Sequence, residues 1–410
     1  MERFIVDQIK YGLRYLPSNL ARSFVIPDRS YDSLRLRKEF VCGVCHPDEN
    51  YGLLKEGNIG WVRFDVPFPF DGDGNETESY KSFKERCRGY AENGIKVMAV
   101  TPFPADFLAH GIDCREESAE AEIMRISKFL YDDLRPLCGG FQIANEITIP
   151  RFTLPFTVRE GAKFLSLCMK AMYPHDSDFL IGYNCAGPAA DLNFYMKPWL
   201  KYTDYIGLDM YLGCFFNAPG FMWMLDALVR YLWSFTGKPV LIEEFGYIGA
   251  GAPKTAEEKR AILARYGFSS KKEALADPET FISRIPERLK NEALKRAGGD
   301  PLECAKLVFG GELRNHLYSE LPPTTKIPGY DHTPEGQAKF FTDSITMFYN
   351  RKYVIGTIVY CWKDSDMCYV CGNNDCPTET RWGLVDCEGK PKPSFYAVKD
   401  VFGRIKARTL

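Results

Sequence analysis

Short apolar segments alternate with amphipathic stretches along most of the chain, from about residue 40 to about residue 403. The apolar segments are bounded by turn residues and read as buried strands. The stretches between them, such as 80–92 and 158–172, repeat their apolar residues at the three- and four-residue spacing of a helix. The pattern predicts eight strands, at 40–46, 60–66, 95–101, 140–145, 179–184, 204–211, 238–244 and 353–361.

Eight strands joined by helical crossovers indicate parallel pairing, and eight parallel strands can close into a barrel. The predicted fold class is therefore α/β, a (β/α)8 TIM barrel over residues 40–410 with a helical N-terminal extension over residues 1–39. An open, doubly wound sheet is the alternative. It is disfavoured because no Gly-x-Gly-x-x-Gly motif follows the first strand.

A long insertion, residues 250–333, separates the seventh strand from its helix. It contains charged helical stretches at 256–266 and 277–297. Because loops that follow barrel strands emerge at the face where active sites lie, the insertion is predicted to cover that face. Alternatively, the insertion forms a contact between subunits of an oligomer, or it extends into solvent.

Composition narrows the class of protein and of partner. A net charge of −2 in 410 residues implies no strong field for nucleic acid or an anionic membrane. No apolar run approaches the roughly 20 residues of a membrane span, and residues 1–7 lack the features of a signal peptide. The 14 scattered cysteines fit buried thiols in a reducing compartment, so a cytoplasmic location is expected. A homo-oligomer is left open.

Two glutamates stand at the ends of predicted strands about a hundred residues apart. Glu146 follows the fourth strand, and Glu244 ends the seventh. A carboxylate at the tip of a buried strand is costly unless it faces a solvated site. Two such strand ends in a chain of strand-helix units indicate two carboxylates facing one cleft. A pair of carboxyl groups is what glycoside hydrolysis uses.

These segments resemble clan A retaining glycoside hydrolases, the (β/α)8 enzymes that include many cellulases, mannanases and β-glucosidases. The resemblance lies in Asn145-Glu146 closing the fourth strand and in Glu244-Phe245-Gly246 closing the seventh. It implies that Glu146 is the acid/base and that Glu244 is the nucleophile. Repulsion from Glu244 is expected to raise the pKa of Glu146 from about 4.3 toward about 6.

Other positions fit the same resemblance. It implies that Arg63 keeps the nucleophile ionised and that Tyr211 places a hydroxyl near it. It also implies that the Trp362 ring lies beneath the sugar in its subsite and that the Asn145 side chain hydrogen-bonds to the sugar 2-hydroxyl.

Two features depart from the clan's pattern. Many members carry a histidine after the third strand, where this chain has Thr101-Pro102-Phe103-Pro104. His46 is the candidate to replace it by reaching a sugar hydroxyl, and a structural histidine capping a loop is the alternative. The second departure is the doubled Glu243-Glu244. Because strand side chains alternate, only Glu244 is expected to face the barrel mouth, and Glu243 is expected on the outer face.

A cysteine-rich loop follows the eighth strand. Cys368, Cys371 and Cys376 form a Cys-x2-Cys pair with a third cysteine, a spacing with the character of a zinc site. No second pair follows at zinc-finger spacing, so free thiols are the first interpretation. Structural zinc and a redox pair are the alternatives.

The sequence thus predicts a retaining β-glycosidase that acts on small β-glycosides or oligosaccharides, with a carbohydrate as substrate and no cofactor for the chemistry. An endo-acting β-glycanase or a transglycosylase of the same clan is the first alternative. A sugar-binding barrel without catalysis is the second. A metal-dependent barrel enzyme is disfavoured, because the expected His and Asp ligands near the strand tips are missing.

Overall fold

The computed structural model describes residues 39–214, 220–311, 313–322 and 325–410, together with positions 6, 9–14 and 17. Within the predicted extension over residues 1–39, positions 9–14 are helical, and Tyr11 stacks on Phe194 with 4.9 Å between ring centroids. The remainder of that prediction lies outside the described residues.

The eight strands form a closed parallel barrel in chain order, with β8 pairing back to β1. This confirms the predicted fold class. The fourth strand is shorter than predicted, because the backbone turns into left-handed conformations at Ala144 and Glu146. The strands are β1 Val41–Cys45, β2 Trp61–Asp65, β3 Lys96–Val100, β4 Gly140–Gln142, β5 Leu180–Ala186, β6 Tyr205–Met210, β7 Val240–Phe245 and β8 Val354–Val359.

Helices pack around this barrel, and several begin at a side-chain cap. The helix at 158–172, for example, begins with a reciprocal capping box between Thr157 and Glu160. One 3-10 helix, Glu117–Ala119, directly precedes the helix at 120–134, and another, Lys197–Tyr202, lies between the helix at 190–196 and β6. Up to β7 the helices are α1 Tyr51–Glu56, α2 Glu78–Glu92, α3 Pro104–Ala109, α4 Glu120–Leu134, α5 Pro150–Thr153, α6 Val158–Met172, α7 Ala190–Met196 and α8 Met222–Thr236.

The segment after β7 is helical and has a hydrophobic core of its own, separate from that of the barrel. Side chains such as Phe281, Leu289 and Phe309 fill this second core. Its helices are α9 Ala256–Arg265, α10 Lys271–Ala276, α11 Pro278–Arg284, α12 Glu287–Ala297, α13 Pro301–Val308 and α14 Leu313–Tyr318. The chain then returns to the barrel through α15 Pro334–Tyr349, and α16 Pro377–Thr380 and α17 Pro393–Lys406 follow β8.

None of the helices in the described part of the chain is both long and apolar enough to cross a membrane.

The inside of the barrel accommodates two large polar side chains, Tyr205 and Glu243. Glycines on adjacent strands make the space for them. A Cβ atom at Gly182 would collide with the Tyr205 ring, and one at Gly207 would overlap the Glu243 carboxyl group. Glycine at these two positions therefore leaves room inside the barrel for the Tyr205 ring and the Glu243 carboxyl group.

We expect Gly207→Ala to lower the free energy of unfolding by about 1–3 kcal/mol, because the added methyl group overpacks the barrel interior. Gly72→Ala is the matched control, since a Cβ atom there meets nothing within 4 Å. Denaturant titration of both variants measures the difference. Equal stability of the two variants would contradict the close approach of Glu243 to Gly207.

Candidate active site

Strand β7 carries one residue more than its neighbour at the position of the two glutamates. Leu208 and Asp209 are consecutive on β6, yet they pair with Ile242 and Glu244, so Glu243 is an extra residue between them. The pairing with β8 shifts over the same stretch. Such a bulge re-aims the side chains that follow it. Both glutamates consequently point to the inside of the barrel.

The expectation that Glu243 faces outward is wrong, because the bulge breaks the alternation on which it rested. The side chain is fully buried inside the barrel, and its Oε1 atom accepts a hydrogen bond of 2.6 Å from the Tyr205 hydroxyl. Burial raises the pKa of Glu243 to about 8. The carboxyl group is therefore neutral at pH 7, which is how a barrel interior tolerates it.

Glu244 is held by two groups at the barrel mouth. Arg63 Nη1 lies 2.6 Å from one carboxylate oxygen, and the Tyr211 hydroxyl donates to the other. The side chain of Arg63 is 2% exposed and that of Glu244 is 10% exposed, so water screens this ion pair weakly. A close buried cation favours the ionised form of a carboxyl group.

Arg63 also ties β2 to β4. Its Nε donates to Gln142 Oε1 at 2.6 Å, and its Nη2 donates to Asn145 Oδ1 at 2.8 Å. Gln142 Nε2 donates to that same oxygen at 2.8 Å. Gln142 was not among the site residues predicted from the sequence. A polar residue in the middle of the short apolar segment 140–145 was the signal that could have found it.

The side-chain amide of Asn145 is oriented by three donors. Its oxygen accepts from Arg63, from Gln142 and from Asn184 Nδ2, the last at 2.7 Å. Since all three bind the oxygen, the Nδ2 group is directed away from them. Asn184, on β5, also accepts a 2.8 Å hydrogen bond from the backbone N–H of Glu146. This one asparagine thus positions the Asn145-Glu146 pair.

Glu146 lies in a left-handed backbone conformation, with φ of 44°, and is 9% exposed. Burial raises its pKa to about 8, and the charge of Glu244 adds to that effect, while Arg63 and Arg151 oppose it. The upward direction agrees with the sequence-based expectation. The cause differs, because removal from water contributes more than repulsion between the carboxylates.

Asp209, on β6, is a further buried carboxyl group that the sequence analysis did not single out. Its Oδ2 lies 2.5 Å from Asn184 Nδ2. Burial, and next the charges of Glu244 and Glu146, raise its pKa well above the usual range. A neutral Asp209 can therefore anchor Asn184 without adding a second charge to the mouth.

The structure corrects the prediction for Trp362. Its indole is completely buried and packs against Phe395, with 6.2 Å between ring centroids, so it presents no face to a sugar. Tyr360, two residues earlier, is the partly exposed aromatic residue that follows β8. Its ring meets the Tyr211 ring edge-on at 5.5 Å, beside the Glu244 carboxylate.

His46 lies at the rim of the mouth, directly after β1. Its backbone N–H donates to the carbonyl of Arg63 at 2.9 Å, and its exposed ring meets the Tyr360 ring edge-on at 5.7 Å. This places the imidazole beside the same aromatic group that adjoins Glu244. A role in contacting substrate stays a prediction.

No protein-family model and no curated protein matches this chain. Several solved structures are similar to it in fold. The GH53 catalytic domain of Ignisphaera aggregans is similar with a TM-score of 0.52 and 16% identity, over 92% of this chain and 98% of that one. A family 39 glycoside hydrolase of Bacteroides cellulosilyticus WH2 is similar with a TM-score of 0.54 and 12% identity, over 93% of this chain and 66% of that one.

The chain thus shares a closed (β/α)8 barrel fold with these two glycoside hydrolases. A β-glucuronidase of Parabacteroides merdae shares it too, with a TM-score of 0.51 and 12% identity, over 88% of this chain and 37% of that one. These comparisons confirm the predicted (β/α)8 barrel. The roles of individual residues rest on the geometry described above.

The raised pKa of Glu243 predicts a pH-dependent stability. Between about pH 4.5, where the carboxyl group titrates in the unfolded chain, and about pH 8, only the folded protein keeps this proton. The free energy of unfolding should therefore fall as the pH rises, by about 1.4 kcal/mol per unit for this group. In Glu243→Gln, whose side chain mimics the neutral acid, that contribution should disappear.

Denaturant titrations at pH 5, 6.5 and 8 measure this difference. Glu117→Gln, at an exposed position, is the control and should follow the wild-type slope. Identical slopes for Glu243→Gln and the wild type would contradict a neutral buried carboxyl group.

Proposed function

We propose that this protein is a retaining β-glycosidase, with Glu244 as the nucleophile and Glu146 as the acid/base. The observation that carries the proposal is the contrast between the two carboxyl groups. Glu244 forms a buried ion pair with Arg63, whereas burial raises the pKa of Glu146 to about 8. One anionic and one protonated carboxyl group at pH 7 is the state in which such an enzyme begins its cycle.

In the first step, a Glu244 oxygen attacks the anomeric carbon while Glu146 gives its proton to the departing glycosidic oxygen. The C–O bond to the leaving group breaks, and an ester forms between the sugar and Glu244. Arg63 and Tyr211, which bind the two Glu244 oxygens, direct the carboxylate and keep it ionised until it reacts. The ester carries no charge, so the pKa of Glu146 falls once it has formed.

In the second step, Glu146 accepts a proton from water, whose oxygen attacks the anomeric carbon and releases Glu244. The fall in pKa after the first step suits Glu146 to this role of base. The Nδ2 group of Asn145, directed away from its three donors, would bond the sugar 2-hydroxyl. Such a bond strengthens in the transition state.

The rim around the two glutamates supplies the remaining contacts. Tyr360 takes the role that the sequence analysis gave to Trp362 and offers a ring to the sugar. His46 is placed to reach a sugar hydroxyl. We infer a small β-glycoside or oligosaccharide as substrate, with β-glucosides first among those to assay, because helices α9–α14 emerge where β7 ends and would limit access for a polymer. A cytoplasmic location is part of this proposal and rests on the free thiols.

An endo-acting enzyme or transglycosylase would use the same two glutamates, and acceptor competition separates these activities. A binding-only barrel is disfavoured by the geometry. A glutamate bound to a buried arginine beside a second glutamate whose pKa burial raises serves nucleophilic attack and proton transfer better than sugar binding alone.

The direct test uses aryl β-glycosides, with the first released anomer identified by NMR. We expect the β-anomer. Glu244→Gln should abolish turnover, because an amide cannot act as the nucleophile, while the protein stays folded. Glu243→Gln is the neighbouring control and should keep activity near the wild-type level. Near-normal activity of Glu244→Gln, or first release of the α-anomer, would contradict the proposal.

The acid role of Glu146 predicts a pH profile. Because the protonated form performs the first step, kcat/KM should decline as the pH rises through about 8. Glu146→Ala should lose about 10²–10⁴-fold on substrates with poor leaving groups. It should lose much less in the first step for nitrophenyl glycosides, whose leaving groups need no proton, and the decline near pH 8 should vanish. A decline that persists in Glu146→Ala would assign the titration to another group.

A further inference from the structure

A cluster of metal-binding side chain types lies outside the proposed active site. His316, Cys368, Cys371 and Cys376 are all buried, and their ligand atoms lie within 4.8 Å of one another. The histidine comes from α14, and the three cysteines come from the loop after β8. The three cysteines are close together in the sequence, whereas the fourth ligand, His316, is brought to them by the fold from 52 residues before Cys368.

The two distances between the imidazole nitrogen and sulfur atoms match those around one tetrahedral ion. His316 Nδ1 lies 3.4 Å from Cys368 Sγ and 3.6 Å from Cys376 Sγ. Zinc bonds of about 2.3 Å to sulfur and about 2.0–2.1 Å to nitrogen place tetrahedral S and N ligands about 3.6 Å apart. A cluster of several iron ions would hold its ligands farther apart than a single ion does.

The chain turns tightly at the first two cysteines and the glycine that follows them. Gly372 has φ of +78°, a conformation that glycine adopts without steric cost, and its N–H donates to the Cys368 carbonyl at 2.8 Å. The N–H of Cys371 points to Cys368 Sγ at 3.5 Å. Backbone donors of this kind stabilise a thiolate, which is the form that binds a metal.

We propose that these four residues bind one structural zinc ion, with His316 Nδ1 and the sulfurs of Cys368, Cys371 and Cys376 as ligands. Four protein ligands close the coordination shell, so the ion has no open position for catalysis. Three thiolates and one imidazole also fit zinc better than the hard cations, which prefer oxygen.

The site joins two segments that are distant in the chain. The three cysteines pack in the separate core of helices α9–α14, not in that of the barrel, and His316 is part of the last of those helices. Between the cysteines, the Tyr369 hydroxyl accepts a 2.9 Å hydrogen bond from Arg151, just after the Asn145-Glu146 segment. Zinc would therefore link the insertion to the loop after β8. It would also stabilise the hydrogen bond between Arg151 and Tyr369, which lies on the β4 side of the barrel mouth.

The test is metal analysis of the full-length protein, purified without a metal-affinity step. We expect about one zinc per chain, retained through dialysis against a weak chelator. After replacement by cobalt, the absorption spectrum should show thiolate-to-cobalt charge transfer and a tetrahedral ligand field. Removal by a strong chelator should lower Tm and open residues 256–318 to proteolysis, and added zinc should reverse both effects.

Two variants make the assignment specific. Cys376→Ser should lose most of the bound zinc, whereas Cys304→Ser, buried in the same core but outside the cluster, should keep it. If Cys376→Ser fails to fold, the stoichiometry and cobalt spectrum of the wild type still decide. Less than a tenth of a zinc per chain, a Cys368–Cys371 disulfide, or a cobalt spectrum without thiolate bands would overturn the proposal. None of these readouts depends on glycosidase activity.

Discussion

The buried guanidinium of Arg63 is the interaction on which the rest of the mouth depends. It lies among the carboxyl groups of Glu244, Glu146, Glu243 and Asp209 and forms its direct ion pair with Glu244. Burial raises the pKa of the other three. Because a charge removed from water needs a close partner, the buried guanidinium depends on its contact with the Glu244 carboxylate.

Hydrogen bonds fix that arrangement before any substrate arrives. Gln142 and Asn184 converge on the Asn145 oxygen, and Asp209 in turn binds Asn184. Each of these side chains stands on or beside a barrel strand, where the sheet holds the backbone in place. Dipoles that are already oriented need no reorganisation during the reaction, which is the main way an enzyme site stabilises developing charge.

The insertion after β7 adds a second level of organisation. Its helices bury their own core, and the cysteine loop after β8 contributes to that core. Small helical units of this size gain much from a staple, and a closed metal site is one of the means available. The barrel and the insertion therefore have separate hydrophobic cores, and the loop after β8 packs into the core of the insertion.

The sequence by itself determined the barrel and the two glutamates at its mouth. Strand and helix periods are local, and parallel strands bring their carboxyl ends to one face whatever their exact register. The bulge at Glu243 could not be predicted, because an extra residue exists only relative to the neighbouring strands. The choice between Trp362 and Tyr360 depended on which ring the last helix covers. His316 joined the cysteines only through folding. These outcomes, like the dominance of burial in raising the pKa of Glu146, arise from contacts between residues distant in the chain, which only the tertiary structure decides.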